Sequence, residues 1–222
     1  MSDRPKVAAI IAAYNEAKTI EGVIRPLAAS RLFDEIIVIS DGSTDDTAAC
    51  ARRAGATLVH QLPIKSGKGA AVMHGVTHTD ALILFFCDAD LYGLTVQHLD
   101  SLLRPVREGH KVMNVGLRDR GNLMMKLAAH LPLIGGERAL KRHVIADVPP
   151  QFLRGFMLEA ALNYHCRKEK LPYGAIPLPG LTIRRKMEKV GFWRGLREYI
   201  DMYYQVIEAM LMVRIAHWRG EW

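Results

Sequence analysis

An α/β fold built on a doubly wound, mostly parallel sheet is predicted by two features of the chain's first half. Short apolar runs recur between segments of helical period, and the chemically distinctive residues fall just after those runs. Val7 to Ala13, Glu35 to Ile39, Thr57 to His60, Ala81 to Cys87 and Lys111 to Val115 read as strands, with helical stretches filling the gaps. Such alternation builds βαβ units with right-handed crossovers, so helices cover both sheet faces and ligands bind beyond the carboxyl ends of the strands. Residues 1–115 are therefore expected to form a ligand-binding half. From Gly116 the rhythm breaks into mixed basic and apolar helices with proline joints at Pro149-Pro150 and Pro177-Leu178-Pro179, and no further strand and helix alternation is expected. Residues 116–222 complete one continuous domain and end in an amphipathic helix from Leu196 through Trp218.

With 222 residues, half of them hydrophobic, the chain can bury one sizeable core. Its formal net charge of +7 suits anionic partners: nucleotides, lipid phosphates or a membrane surface. Nucleic acid is not the expected partner, because aromatic residues are sparse and neither a helix-turn-helix nor a base-stacking strand pair is present. Cys50, Cys87 and Cys166 are widely spaced, lack a Cys-x-x-Cys pairing and read as buried thiols of a reducing compartment. The opening apolar stretch is cut off by Asn15 and Glu16 too early to span a bilayer, which predicts a cytoplasmic chain. The tyrosines and tryptophans of the last helix, with Arg214 and Arg219, suit a core helix, a dimer helix or peripheral contact with anionic lipid.

The strand ends carry the chemistry. The first strand runs into Ala12-Ala13-Tyr14-Asn15-Glu16, which lacks the glycines of a dinucleotide-binding turn and so disfavours a nicotinamide or flavin enzyme. The second runs into Asp41-Gly42-Ser43-Thr44-Asp45-Asp46-Thr47, where Gly42 permits a sharp turn and the hydroxyls and carboxylates can cap the next helix. Asp41, one step earlier, can accept hydrogen bonds from a base or ribose. Beyond the third strand, Lys65-Ser66-Gly67-Lys68-Gly69-Ala70-Ala71 offers backbone N–H groups and a point charge at a helix start, which suits a diphosphate, or it is an ordinary Gly-Lys-Gly surface turn. The fourth strand is apolar on both faces and ends in Asp88-Ala89-Asp90. Carboxylates at i and i+2 of an extended chain point to one side and can share a hard cation, or they can cap a helix.

Together these segments resemble the inverting GT-A glycosyltransferases that include dolichyl-phosphate mannose synthase and related bacterial sugar transferases. The family's Pro-Ala-Tyr-Asn-Glu stands here as Ala12 to Glu16, its Asp-Asp-Gly-Ser-x-Asp-x-Thr as Ser40 to Thr47, and its Gly-Lys-Gly and Asp-x-Asp follow in order. The resemblance implies a GT-A fold, a UDP- or GDP-linked sugar donor, and Mg2+ or Mn2+. Ala13, Tyr14, Glu16 and Asp41 would line the nucleoside pocket, Lys68 would approach the phosphates, and Asp88 and Asp90 would handle ribose, metal and diphosphate. Gly116-Leu117-Arg118 and Gly135-Gly136-Glu137-Arg138 resemble the family's arginine segments, whose Arg118 and Arg138 can clamp a phosphate bidentately or stand as solvated surface residues. Glu159 resembles the acidic residue that in many relatives deprotonates the acceptor hydroxyl or lies beside the acceptor, and a glutamate on a helix surface would read the same way. Some relatives place a histidine where Ile183 aligns, so the metal here would rest on carboxylates and the donor. Residues 1–115 would then be the nucleotide-sugar-binding half and residues 116–222 the acceptor-side half, while the acceptor, a hydroxyl or a polyprenyl phosphate, is not specified by these residues. The rival readings are a sugar nucleotidyltransferase, which lacks its usual glycine-rich basic loop here, and a non-catalytic nucleotide-binding module.

Overall fold

The computed structural model describes residues 4–118, 135–155, 157–183, 211–215 and 218–219. In chain order the elements are β1 (Val7–Ala13), α1 (Ile20–Ser30), β2 (Glu35–Ser40), α2 (Thr47–Arg53), β3 (Leu58–Gln61), α3 (Lys68–Val76), β4 (Ile83–Asp88), β5 (Leu91–Tyr92), α4 (Val96–Arg107), β6 (Met113–Arg118), β7 (Arg138–Lys141), α5 (Arg142–Ala146), α6 (Met157–Lys168), β8 (Tyr173–Leu178) and β9 (Thr182–Ile183). The main sheet has seven strands in the order β3-β2-β1-β4-β7-β6-β8. Only β7 runs against its neighbours, pairing antiparallel with β4 and with β6.

Alternation along β1 explains why both sheet faces are covered. Val7, Ala9, Ile11 and Ala13 face a core shared with Ile20, Val23, Ile24 and Leu27 of α1 and Leu99, Leu102 and Leu103 of α4. Ala8 and Ile10 face the opposite core, with Val72 and Val76 of α3 and Leu158, Ala161 and Leu162 of α6. The i, i+3, i+4, i+7 spacing in α1 places all four of its apolar anchors at zero exposure, each contributing about 1.5–3 kcal/mol of burial. The three cysteines are free and buried, as expected.

Two expectations are corrected. The second half does not lack strands: β7 and β8 enter the main sheet, and β9 pairs with β5 in a small separate ribbon. β7 is hard to read because it is four residues long with a charge at each end, and Arg138, its first residue, is fully buried. The strand expected from Lys111 also starts later, because the N–H groups of Lys111 and Val112 go to the carbonyls of Pro105 and Pro172 outside the strand. Of the expected helix from Leu196 through Trp218, residues 211–215 and 218 are described and helical, with Val213 buried in the α6-side core. The remainder lies outside the described residues. Among those described, no helix is long and apolar enough to cross a membrane.

Candidate active site

The carboxyl ends of β1, β2, β4 and β6 converge on a cavity of about 330 Å³ lined by Ala12, Ala13, Tyr14, Glu16, Asp41, Lys65, Lys68, Asp88, Ala89, Asp90, Arg118 and Ile183. Eight of the expected site residues thus share one wall. The loop after β1 is held in shape by the loop after β2. Asn15 adopts a left-handed φ of 55°, its N–H donates to Ser43 Oγ (3.1 Å), and its Oδ1 accepts from the Thr44 N–H (2.9 Å). The N–H groups of Glu16 and Ala17 donate to Thr47 Oγ1 and Asp45 Oδ2. The hydroxyls and carboxylates after β2 were expected to cap α2. Asp45 still reaches the Thr47 N–H, but the N-cap residue Asp46 makes no capping bond, and most of the set turns to the neighbouring loop instead.

Asp41 is buried and spends both carboxylate oxygens on the loop before α3. Oδ1 accepts from the N–H and hydroxyl of Ser66, each at 2.7 Å, and Oδ2 from the Gly67 N–H at 2.8 Å. It touches the cavity, yet its hydrogen bonds set the position of Lys65 and Lys68. Gly42 completes this joint: at φ 67°, a Cβ would stand 2.5 Å from the Lys65 nitrogen, so no side chain fits. Lys65 Nζ in turn lies over the Tyr14 ring, 3.9 Å from its centroid.

At the other end of the cavity the contacts are ionic. Lys68 Nζ bridges Asp88 Oδ1 at 2.7 Å and Glu159 Oε1 at 3.0 Å. Arg118 reaches Asp88 Oδ2 at 3.4 Å and, through Nε, Glu137 Oε2 at 3.3 Å. Burial works to raise the Asp88 carboxyl, but the charges of Lys68 and Arg118 win and hold it at about 2. Burial likewise opposes the Lys68 ammonium, which Asp88 and Glu159 nevertheless keep well above the ordinary lysine value. For Glu137 burial wins: against the pull of Arg118 its carboxyl is pushed up to about 7, and beyond that ion pair neither oxygen has a hydrogen-bond partner. A Cβ on Gly136 would stand 2.6 Å from Asp88 Oδ1, so any side chain here would push the Asp88 carboxylate from its place between Lys68 and Arg118.

Two expected residues stand behind the cavity wall. Arg138 is fully buried, donates from Nη2 to the Gly135 carbonyl at 2.6 Å, and has an Nε without a partner. The solvated alternative for Arg138 is therefore excluded. Glu159 is buried on α6 and meets the site through Lys68. Glu137 was missed by sequence reasoning, although a lone carboxylate between two glycines and an arginine was the available signal.

A family model described as "Glycosyl transferase family 2" matches residues 8–164. The chain belongs to this family. It is a nucleotide-sugar glycosyltransferase of GT-A fold. This family 2 chain is 32% identical to the glucosyl-3-phosphoglycerate synthase of Mycobacterium tuberculosis over 92% of its own length and 72% of that protein. It is 36% identical to the 4,4'-diaponeurosporenoate glycosyltransferase of Staphylococcus aureus over 42% of its length and 26% of the relative. The crystal structure of the Mycobacterium tuberculosis synthase with Mn2+, uridine diphosphate and glucosyl-3-phosphoglycerate superposes with a TM-score of 0.75 at 26% identity, covering 94% of this chain and 80% of that one. A further structure of the same synthase holds Mg2+ and uridine diphosphate. The donor set here fits such a hard ion: Asp90 and Asp88 bring carboxylate oxygens to the cavity, whereas Ile183, on β9 beside β5, offers no ligand.

Proposed function

We propose that this family 2 enzyme transfers glucose from UDP-glucose to a small phosphorylated hydroxy acid, with Mg2+ or Mn2+ held by Asp90 and assisted by Asp88. The observation that carries the reading is the polarity of one cavity. An aromatic ring with Ala13, Glu16 and Asp41 stands at one end, and the cations Lys68 and Arg118 stand beside two carboxylates at the other. The similarity to glucosyl-3-phosphoglycerate synthases along 92% of the chain supports this donor and acceptor class.

The nucleoside rests against Tyr14 and Ala13, and the diphosphate lies toward Lys68 and Arg118. An acceptor hydroxyl oxygen attacks the anomeric carbon in line as the bond to the diphosphate oxygen breaks, its proton passes to solvent water, the nucleoside diphosphate leaves, and the configuration inverts. A bound divalent ion supplies charge neutralisation to the leaving diphosphate. Lys68 adds to this, because an ammonium held by two carboxylates is preorganised for the charge that develops on the leaving group. Arg138 and Glu159 act through others: Arg138 braces the Gly135 backbone, and Glu159 positions Lys68 instead of taking the acceptor proton. Glu159→Gln is therefore expected to raise KM for the donor more than it lowers kcat. A fall in kcat alone, with a flattened acid limb of the pH profile, would return it to the role of base.

The test is release of UDP from UDP-glucose by the purified chain with Mn2+, using 3-phosphoglycerate, glycerol 3-phosphate or polyprenyl phosphate as acceptor. Metal-dependent release with a small phosphorylated acceptor supports the proposal. Release only with polyprenyl phosphate overturns the acceptor class, and turnover of only a GDP-linked sugar overturns the donor.

A further inference from the structure

Away from the cavity, on the edge strand β3, His60 meets His74 from the last turn of α3 and His78 from the turn that follows it. The three rings are mutually packed, with centroids 4.6 Å, 5.4 Å and 4.6 Å apart, and one ligand nitrogen from each lies within 4.8 Å of the others. We propose that His60, His74 and His78 form a second metal site, distinct from the donor site, that takes a borderline divalent cation of the Zn2+ class.

Chain geometry favours chelation. His74 and His78 are four residues apart, which places them on one face of the helical turn, and His60 completes the set from the adjoining strand. His78 Nδ1 lies 2.8 Å from the His74 carbonyl, so it donates there and Nε2 is left as the ligand. An imidazole whose second nitrogen donates to a backbone carbonyl is the usual outer-shell arrangement of a metal-bound histidine. His74 Nε2 is buried with no hydrogen-bond partner, an orphaned polar atom in the cluster. Among the described residues no carboxylate pairs with any of the three. Two nitrogens on one tetrahedral zinc stand about 3.3 Å apart, so small ring rotations close the triangle and leave a fourth position for water. Imidazole donors select Zn2+ and its neighbours over the hard ions that suit Asp90.

Bound there, the ion would tie β3 to the C-terminal end of α3, the helix whose first residue is Lys68. The experiment is titration of the full, tag-free chain with Zn2+ alone and, in parallel, with Co2+ followed by visible absorption. One ion per chain is expected, with intense Co2+ bands of four-coordinate type. His78→Gln, at an exposed position that leaves the fold intact, and His60→Gln should each weaken binding at least 10-fold. Asp90→Asn should leave it unchanged. Absence of binding, binding insensitive to both histidine variants, or binding lost in Asp90→Asn would each overturn the site.

Discussion

The two ends of the cavity are built by different means. At the Tyr14 end, residues 13–17, 41–47 and 66–67 are tied by hydrogen bonds that run mainly from backbone N–H groups to side-chain oxygens. At the ionic end, Lys68, Arg118 and Arg138 stand among Asp88, Glu137 and Glu159, with several buried atoms unpartnered. The first end is a finished piece of architecture, fixed before any ligand arrives. The second is charge-balanced but unsatisfied, which is the state expected where a charged substrate group completes the set.

Substitutions can break this contrast. Lys68→Met should cost the most, lowering kcat/KM by about 100-fold or more, because the cation proposed to face the leaving group is lost while two carboxylates remain. Steady-state kinetics on the folded variant measures it. Gly42→Ala should act on the other end by stability: the positive φ and the clash with Lys65 are expected to cost on the order of 2 kcal/mol in urea unfolding.

Glu137→Gln sharpens the comparison through pH. The folded state holds the Glu137 proton more tightly than the unfolded chain does. The resulting stabilisation is full below about pH 4.3 and is lost as pH rises through about 7. Wild-type stability should therefore fall relative to the glutamine variant across that window, with a slope no steeper than about 1.4 kcal/mol per pH unit. Asp88 has the opposite sign: its depressed value contributes stability present above about pH 3.9 and lost as pH falls through about 2. Parallel urea curves for the two proteins from about pH 4 to 8 would contradict the Glu137 assignment. The smallest effect is expected for Ser43→Ala, about 1 kcal/mol, with kcat/KM nearly unchanged once the protein is folded.

The parallel strands of the first half were legible because each is an apolar run followed at once by polar residues, and eight expected residues do meet at one cavity. What local pattern does not carry is the partner of a side chain. Ser43, Asp45 and Thr47 look like helix caps over a few residues, and the loop they mainly serve lies about thirty residues away in sequence. Asp41 similarly looks like a ligand for ribose, whereas its hydrogen bonds hold Ser66 and Gly67. Arg138 reads as a surface clamp because arginine is seldom fully buried, and here the strand that buries it was itself too short and too charged to recognise.

That short strand also governs how the protein can be made. β7 comes from the second half of the chain but sits between β4 and β6, so β4 has no partner on one side until residues 138–141 arrive. On a translating ribosome the nascent first half carries a bare, strongly apolar edge through the synthesis of the intervening residues, which is an invitation to mispairing or chaperone capture. A shortened chain ending before β7 would keep that edge for good and should precipitate, so the two halves cannot be cut apart and studied as separate pieces.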